Sequence, residues 1–399
     1  MKKIGVRIGI LFGIFLFWNL DTQEVYGNTA WNEKGILYTT EEKREEDYLR
    51  ELYRELDFKE VDGVLERELP ESISFSELVQ KLLFGGFGDV DWKNSIFKWM
   101  KEQLTGEWTM AQKLFTEVLL LAVCFSVLKN FSGTFAASYI TELCFLCVYC
   151  VMVVLLLQAF SIFQTIAGKT LKNGIEFMQA FVPTLCISML FASNVGTAMG
   201  FYEAAYLVIY LIECIFYQIL MPLIHIYVLL EIFGHFMPED SFSNLRELFY
   251  GIISGGMKVA GAAVLGLNVV QNLITPAKDR IAQGALAKTA SALPVVGNAV
   301  NSVTELVLGT GIVIKNCIGA AGLVALLLVC LVPLGKVLCL TFFYKIAAAV
   351  TEPVTDRRIS GCLAGMAKGG MLYLRLMGYA MLLFGVTIAV TVAASGFMH

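Results

Sequence analysis

Ionisable side chains set inside long apolar runs are the residues of this chain with the means to do chemistry. Glu117, Glu142, Glu203, Glu213, His225, Glu231, Lys258, Lys315, Lys336, Lys345 and Arg375 lie within or beside such runs. At the centre of a bilayer each charge costs about 2.5–3.5 kcal/mol, whereas one Leu returns only about 0.3–0.6 kcal/mol. Such residues therefore face protein or water, and in a membrane they mark an ion or substrate path. Glu213, between Tyr210 and Tyr217, and Lys258, between Met257 and Val259, lie deepest and are the expected pathway residues. Glu142, Glu203, Glu231, Lys345 and Arg375 are placed at helix ends near the interface. For the whole set, interfacial or structural pairing is the competing reading.

Other chemistries find no support. Cys144-xx-Cys147-xx-Cys150 has part of an iron–sulfur spacing, but it lacks a following Cys-Pro and sits inside the apolar run Leu143 to Leu157. Cysteines in such a run act as small hydrophobes. His225 and His235 do not form H-E-x-x-H, and no G-x-x-x-x-G-K-[ST] phosphate loop occurs. Ser241 and Ser360 lack a nucleophile-elbow context. No catalytic, cofactor or metal residue is assigned, and the chain is read as a non-enzyme.

The elements that must hold these charges follow from composition. Of 399 residues 57% are hydrophobic and only 16% charged, against about 25% charged in ordinary soluble domains. The fold class expected is all-α, a polytopic helical membrane protein. Charge divides the chain. Residues 28–110 hold 11 basic and 19 acidic residues, a net of −8, while 111–399 hold 16 and 13, a net of +3. An acidic segment argues against nucleic acid, which needs a basic face. All ten cysteines lie after residue 113, so the polar segment has no disulfide framework.

Lys2, Lys3 and Arg7 precede the apolar run Ile8 to Trp18. Residues 1–27 are thus expected to be a signal peptide, with an uncleaved anchor as the alternative. Residues 28–110 become an exported acidic segment. Within it, 41–68 read as helix, with Leu49, Leu52, Tyr53 and Leu56 on one face, and Ser74-Phe75-Ser76-Glu77 has capping-box spacing. Trp92, Ile96, Trp99 and Met100, with Lys93, Lys98 and Lys101 beside them, suggest a helix in the membrane interface.

Residues 111–399 form the expected transmembrane domain, with spans near 114–128, 138–163, 201–236, 247–275, 312–350 and 371–395. The run 201–236 has 36 residues, a helix of ~54 Å against a hydrocarbon core of ~30 Å. Tilt alone would need about 56°, beyond the usual limit of about 40°. Breaks are therefore expected at Pro222 and, in 312–350, at Pro333. These prolines are 111 residues apart, as are Pro183 and Pro294, and Gly200 and Gly311. Lys169 with Lys172, and Lys278 with Arg280, would be matching basic loops. An internal duplication, 138–236 and 247–350, is the reading, with all four prolines as helix breaks in the manner of transporter repeats. Chance coincidence among 8 prolines and 35 glycines is the alternative. Gly251-xxx-Gly255, Gly361-xxx-Gly365 and Gly365-xxx-Gly369 would permit close helix contact. Arg357, Arg358 and Lys368 would make a cytoplasmic basic loop.

The order of parts resembles a known family. The leader with Lys2-Lys3 precedes an acidic segment ending Pro70-Glu71-Ser72-Ile73-Ser74-Phe75-Ser76-Glu77-Leu78. Phe181-Val182-Pro183-Thr184, Ala292-Leu293-Pro294-Val295 and a late Thr351-Glu352-Pro353-Val354-Thr355-Asp356-Arg357-Arg358 loop follow. This layout resembles the stage III sporulation protein AE family of endospore-forming bacteria along essentially the whole chain. The resemblance implies a membrane-core subunit of a secretion-like channel complex joining mother cell and forespore. It implies as partners the other stage III A sporulation proteins and stage II sporulation protein Q, besides membrane lipid. It implies the mother-cell membrane around the forespore as the location, and it supplies no catalytic residue. A stand-alone secondary transporter of a small solute, and a membrane scaffold with no conducting pathway, are the alternatives.

Overall fold

The computed structural model describes residues 48–70, 73–85, 91–132, 138–192, 195–235, 242–290, 297–353, 355 and 357–394. The leader expected over 1–27, the stretch 28–47 and Pro294 fall outside these. Helices α1 (residues 48–55), α2 (Lys59–Leu65) and α3 (Phe75–Gln80, running into a π turn, Lys81–Gly85) come first. The long helices are α4 (Asp91–Ser132), α5 (Ser138–Leu190), α6 (Val195–Ile212) continued by a π segment (Glu213–Leu220) into α7 (Met221–Gly234), α8 (Ser243–Ala290), α9 (Gly297–Thr351) and α10 (Arg357–Ala394). No strand occurs among the described residues. Five stretches, Leu146–Leu190, Ala198–Gly234, Ser243–Val270, Gly309–Thr351 and Arg357–Ala393, are long and apolar enough to cross a membrane. The polytopic helical fold is therefore what the chain adopts.

Contact pairs fix the direction of each helix. Tyr149 Oη donates to the Ile232 carbonyl (2.7 Å), and a Cβ on Gly168 would touch Met221, so α5 and α7 run antiparallel. Gly234 abuts Arg246 and Gly256 abuts Leu220, so α7 and α8 do too. Gly370 abuts Thr341, and Lys315 Nζ donates to the Val392 carbonyl (2.9 Å), making α9 and α10 antiparallel. Phe163 against Gly370 and Phe384 against Gly174 make α5 and α10 parallel. Gln103 Oε1 near Lys336 Nζ (3.4 Å) and Phe115 beside Phe343 (5.8 Å) align α4 with α9. The end of α7 and start of α8, and the end of α9 and start of α10, thus share one end of the bundle.

Several expected interruptions are absent. Pro183 and Pro333 lie inside α5 and α9, which continue past them. Proline removes one N–H and displaces one carbonyl. In apolar surroundings, abandoning the rest of the ladder would cost more than that local loss. At Pro222 the chain changes register instead of stopping. Met221 N–H bonds Phe216 O, five residues back, so a wide turn precedes the proline. The expected basic loops are helical as well: Lys169 and Lys172 lie within α5, Lys278 and Arg280 within α8. Each proposed repeat therefore contains two long helical paths. Pro222 and Pro333 differ locally, one following a π segment and the other sitting in α-helix.

The N-terminal helices are pinned by local polar bonds and docked by aromatics. The 41–68 helix divides after residue 55, and Asp57 Oδ1 accepts from Lys59 N (3.0 Å) to start α2. Ser74 Oγ accepts from Glu77 N (3.2 Å), as the capping-box spacing foretold. Asp62 Oδ1 accepts from Phe75 N (2.5 Å) and Ser76 N (3.1 Å), which ties α2 to the start of α3. Fully buried Phe75 stacks edge-on against Phe181 of α5 (5.7 Å), which is itself parallel-stacked on Phe177.

Candidate functional site

The two expected pathway residues are placed apart. Glu213 is the half-buried first residue of the π segment, whereas Lys258 is exposed on the outer face of α8 beside Val259. No ion pair joins them.

Charge converges elsewhere. Glu231, three residues from the end of α7, is 3% exposed. Its Oε1 accepts from Tyr227 Oη (2.7 Å) and from Lys368 Nζ of α10 (3.1 Å). Its Oε2 accepts from Arg246 Nη1 of α8 (3.2 Å), and Arg246 is itself buried. His235 Nδ1 lies 2.6 Å from the Glu231 carbonyl and 4.0 Å from Oε2. A buried carboxylate is tolerated only when its lone pairs are met by donors, and here three come from three helices. Arg246 sits in the first turn of α8, so the cation opposes the positive end of that helix dipole. Glu231 offsets this.

A glycine stripe allows this approach. A Cβ at Gly361 would lie 2.3 Å from His235 Cδ2, at Gly365 3.0 Å from Glu231 Cβ, and at Gly369 2.3 Å from Val228 Cγ2. The 361/365/369 spacing noted in the sequence is thus the seam where α10 packs on α7. Gly251 and Gly255 meet nothing within 4 Å, so that motif makes no helix contact; their neighbour Gly256 does. The seam continues through Tyr149 Oη, which also lies 3.4 Å from Cys362 Sγ.

Sequence reading missed this cluster. Glu231 reads from the sequence as a helix-end residue, which its place three residues from the end of α7 bears out, whereas Lys368 reads as loop but lies within α10, and Arg246 carries no signal. The Tyr227-xxx-Glu231 spacing and the glycine triplet were the available signals. Nearby, His225 Nε2, Tyr373 Oη and Tyr344 Oη are buried without a hydrogen-bond partner, and His225 packs edge-on to Phe160 (5.5 Å) and beside Tyr373 (6.1 Å). Cys147 and Cys150 are exposed on α5. No cluster of His, Cys, Asp or Glu suited to a metal occurs among the described residues.

The family model of stage III sporulation protein AE matches residues 73–395, from just before α3 to the end of α10, the Glu231 cluster included. The chain belongs to that family. The stage III sporulation protein AE of Bacillus subtilis (strain 168) is 24% identical over 310 residues, covering 77% of this chain and 76% of that protein. No solved structure matches the chain. As a member of the stage III sporulation protein AE family with five long apolar helices, it is a sporulation-related, multi-pass membrane protein.

Proposed function

We propose that the chain is the membrane-core subunit of a channel or secretion-like complex between mother cell and forespore, in the mother-cell membrane around the forespore. Its partners are the other stage III A proteins and stage II sporulation protein Q. The family match across all six long helical paths carries this reading. The bundle geometry agrees with it. Arg357 and Arg358 open α10 at the end of the bundle that the sequence reading assigns to the cytoplasm, and the start of α8 lies at the same end. Helices α1–α3 pack against the opposite half, where an exported segment would meet partners. Lys258 faces outward on α8, so it does not line a path inside one copy of the chain.

The test is affinity purification of the tagged chain from sporulating cells, together with rescue of forespore development in cells lacking their own copy. Co-purification of other stage III A proteins with rescue supports the assignment. A chain that purifies alone and drives solute uptake in liposomes would be a stand-alone transporter. A scaffold role predicts that Glu213→Ala and Lys258→Ala leave development unchanged while deletion of α1–α3 abolishes it.

A further inference from the structure

Cations from five helices meet at one height of the bundle. Gly168 faces Met221, and Gly256 faces Leu220, so Lys169 of α5 and Lys258 of α8 lie within about a turn of each other along the axis. Gly370 meets both Phe163 and Thr341; five residues farther toward the opposite half come Gly168, Arg375 and Lys336. Gln103 of α4 joins this level at the Lys336 ammonium, with exposed Lys101 two residues away. Lys101, Lys169, Lys172, Lys258, Lys336 and Arg375 thus form one belt. Lys169 and Lys172 are about two-thirds exposed, and Lys258 and Arg375 are exposed. Glu68 and Glu176 each pair with one of these cations. Lys169 bonds Glu68 (2.9 Å), Lys172 bonds Glu176 (3.7 Å), and Arg375 reaches Tyr250 Oη (3.1 Å).

The belt divides two kinds of surroundings. Toward the end of α7, α5 runs from 143 to 168 without an ionisable Asp, Glu, Lys, Arg or His. Those 26 residues, ~39 Å of helix, suffice to cross a ~30 Å hydrocarbon core. Val151 and Val154 are exposed on that stretch. In the same half the Glu231 carboxylate is fully bonded and Arg246 is buried on it, a form of charge that lipid tolerates, while Lys368 on the same carboxylate and Lys345 of α9 are exposed there. On the other side, the charged helices α2 and α3 lie against the bundle. Arg67 pairs with Glu176 (3.6 Å), and Cys317 Sγ approaches the Leu82 carbonyl (3.8 Å). A segment carrying Glu60, Glu66, Arg67 and Glu68 belongs in water. Exposed lysines and arginines collect where hydrocarbon ends, because their stems lie along apolar helix while their heads reach phosphate.

We infer that this belt binds the anionic phospholipid headgroups of one leaflet. Only the half of the bundle between the belt and the end of α7 is surrounded by hydrocarbon. The half holding Phe181, Cys317 and Leu265 stands beyond the bilayer with α1–α3. The helix lengths require some such division. At 45 and 43 residues, Leu146–Leu190 and Gly309–Thr351 run ~65 Å, about twice the hydrocarbon thickness.

The experiment places a benzophenone amino acid at Val154 or at Leu265, both exposed, in the full chain reconstituted into phosphatidylcholine–phosphatidylglycerol vesicles containing an alkyne-tagged phospholipid. After irradiation, lipid attachment at Val154 should exceed that at Leu265 at least fivefold. Equal attachment, or the reverse order, overturns the division, since apolar stretches also lie beyond the belt in α8, α9 and α10. In a second arm, spin-labelled phosphatidylglycerol and phosphatidylcholine compete for the protein's lipid shell. Lys258→Gln with Arg375→Gln should reduce the preference for phosphatidylglycerol at least twofold. An unchanged preference with intact helical content overturns the headgroup assignment.

Discussion

The Lys368 ammonium of α10 donates to the buried carboxylate of Glu231 on α7 at 3.1 Å, across 137 residues of chain. Arg246 approaches the other carboxylate oxygen from α8, so one acidic side chain is held by three helices. The contact exists because glycines at 361, 365 and 369 let α10 close on α7.

Removing the carboxylate alone should be costly. Glu231→Ala removes the carboxylate that Arg246 and Lys368 share, and breaking a buried pair by removing one partner costs about 3–5 kcal/mol. Glu231→Leu combined with Arg246→Met should lose less than the two single variants added together. Thermal aggregation of the detergent-purified protein measures this; strict additivity would contradict the coupling.

The glycine seam should be intolerant where it is tight and indifferent where it is open. Gly369→Val drives a side chain into Val228, at a cost of about 1–3 kcal/mol. Gly255→Ala meets nothing within 4 Å and should be neutral or slightly stabilising. Melting temperatures of the two variants, compared in the same detergent, separate these outcomes.

Docking of the N-terminal helices should depend on an aromatic and hardly on ion pairs. Phe75→Ala removes a fully buried ring facing Phe181, and such truncations cost about 3–5 kcal/mol. Lys169→Gln breaks a pair whose lysine is largely exposed, and exposed pairs contribute about 0–1 kcal/mol. Limited trypsin digestion should release residues 49–85 quickly from the first variant and at the parental rate from the second.

Alkaline pH should loosen the same segment. Burial first, and then the charge of Asp62, raise the Tyr53 phenol above its ordinary value of 10.0, while its hydroxyl donates to the Ser76 carbonyl (3.0 Å). A raised folded-state value means that this contribution is whole below the unfolded value and is lost as pH climbs toward the folded one. Digestion by an alkaline-active protease between pH 9 and 11 should accelerate, and Tyr53→Phe should flatten that rise.

The bundle ends supply a topology test. Reporter fusions after residues 240 and 354 should report the same side of the membrane, and fusions after 193 and 398 the opposite side. Residues 240 and 354 on different sides would break the antiparallel order read from Tyr149–Ile232 and Gly370–Thr341.

Much of this was legible in the residues. The Ser74–Glu77 cap is a local bond between neighbours three apart, so spacing alone reveals it. The 361/365/369 glycines lie on one face by helical periodicity, and they form the seam. Helix continuity was not legible. Lys169, Lys172 and Pro183 read as loop and break, yet α5 passes through all three. A hydropathy window cannot tell a charge in a turn from a charge that leaves a helix sideways. Lys169 does the latter, ending on Glu68.

By itself the sequence determined the medium and the class of element. A chain 57% hydrophobic, in runs of twenty residues and more, must satisfy its backbone internally, and helices do this without reference to anything distant. Only the tertiary structure decided which charges meet. Glu231, Arg246 and Lys368 carry no mutual spacing signal. Whether a buried carboxylate finds two cations depends on how closely helix backbones approach, and that is a property of the packed bundle.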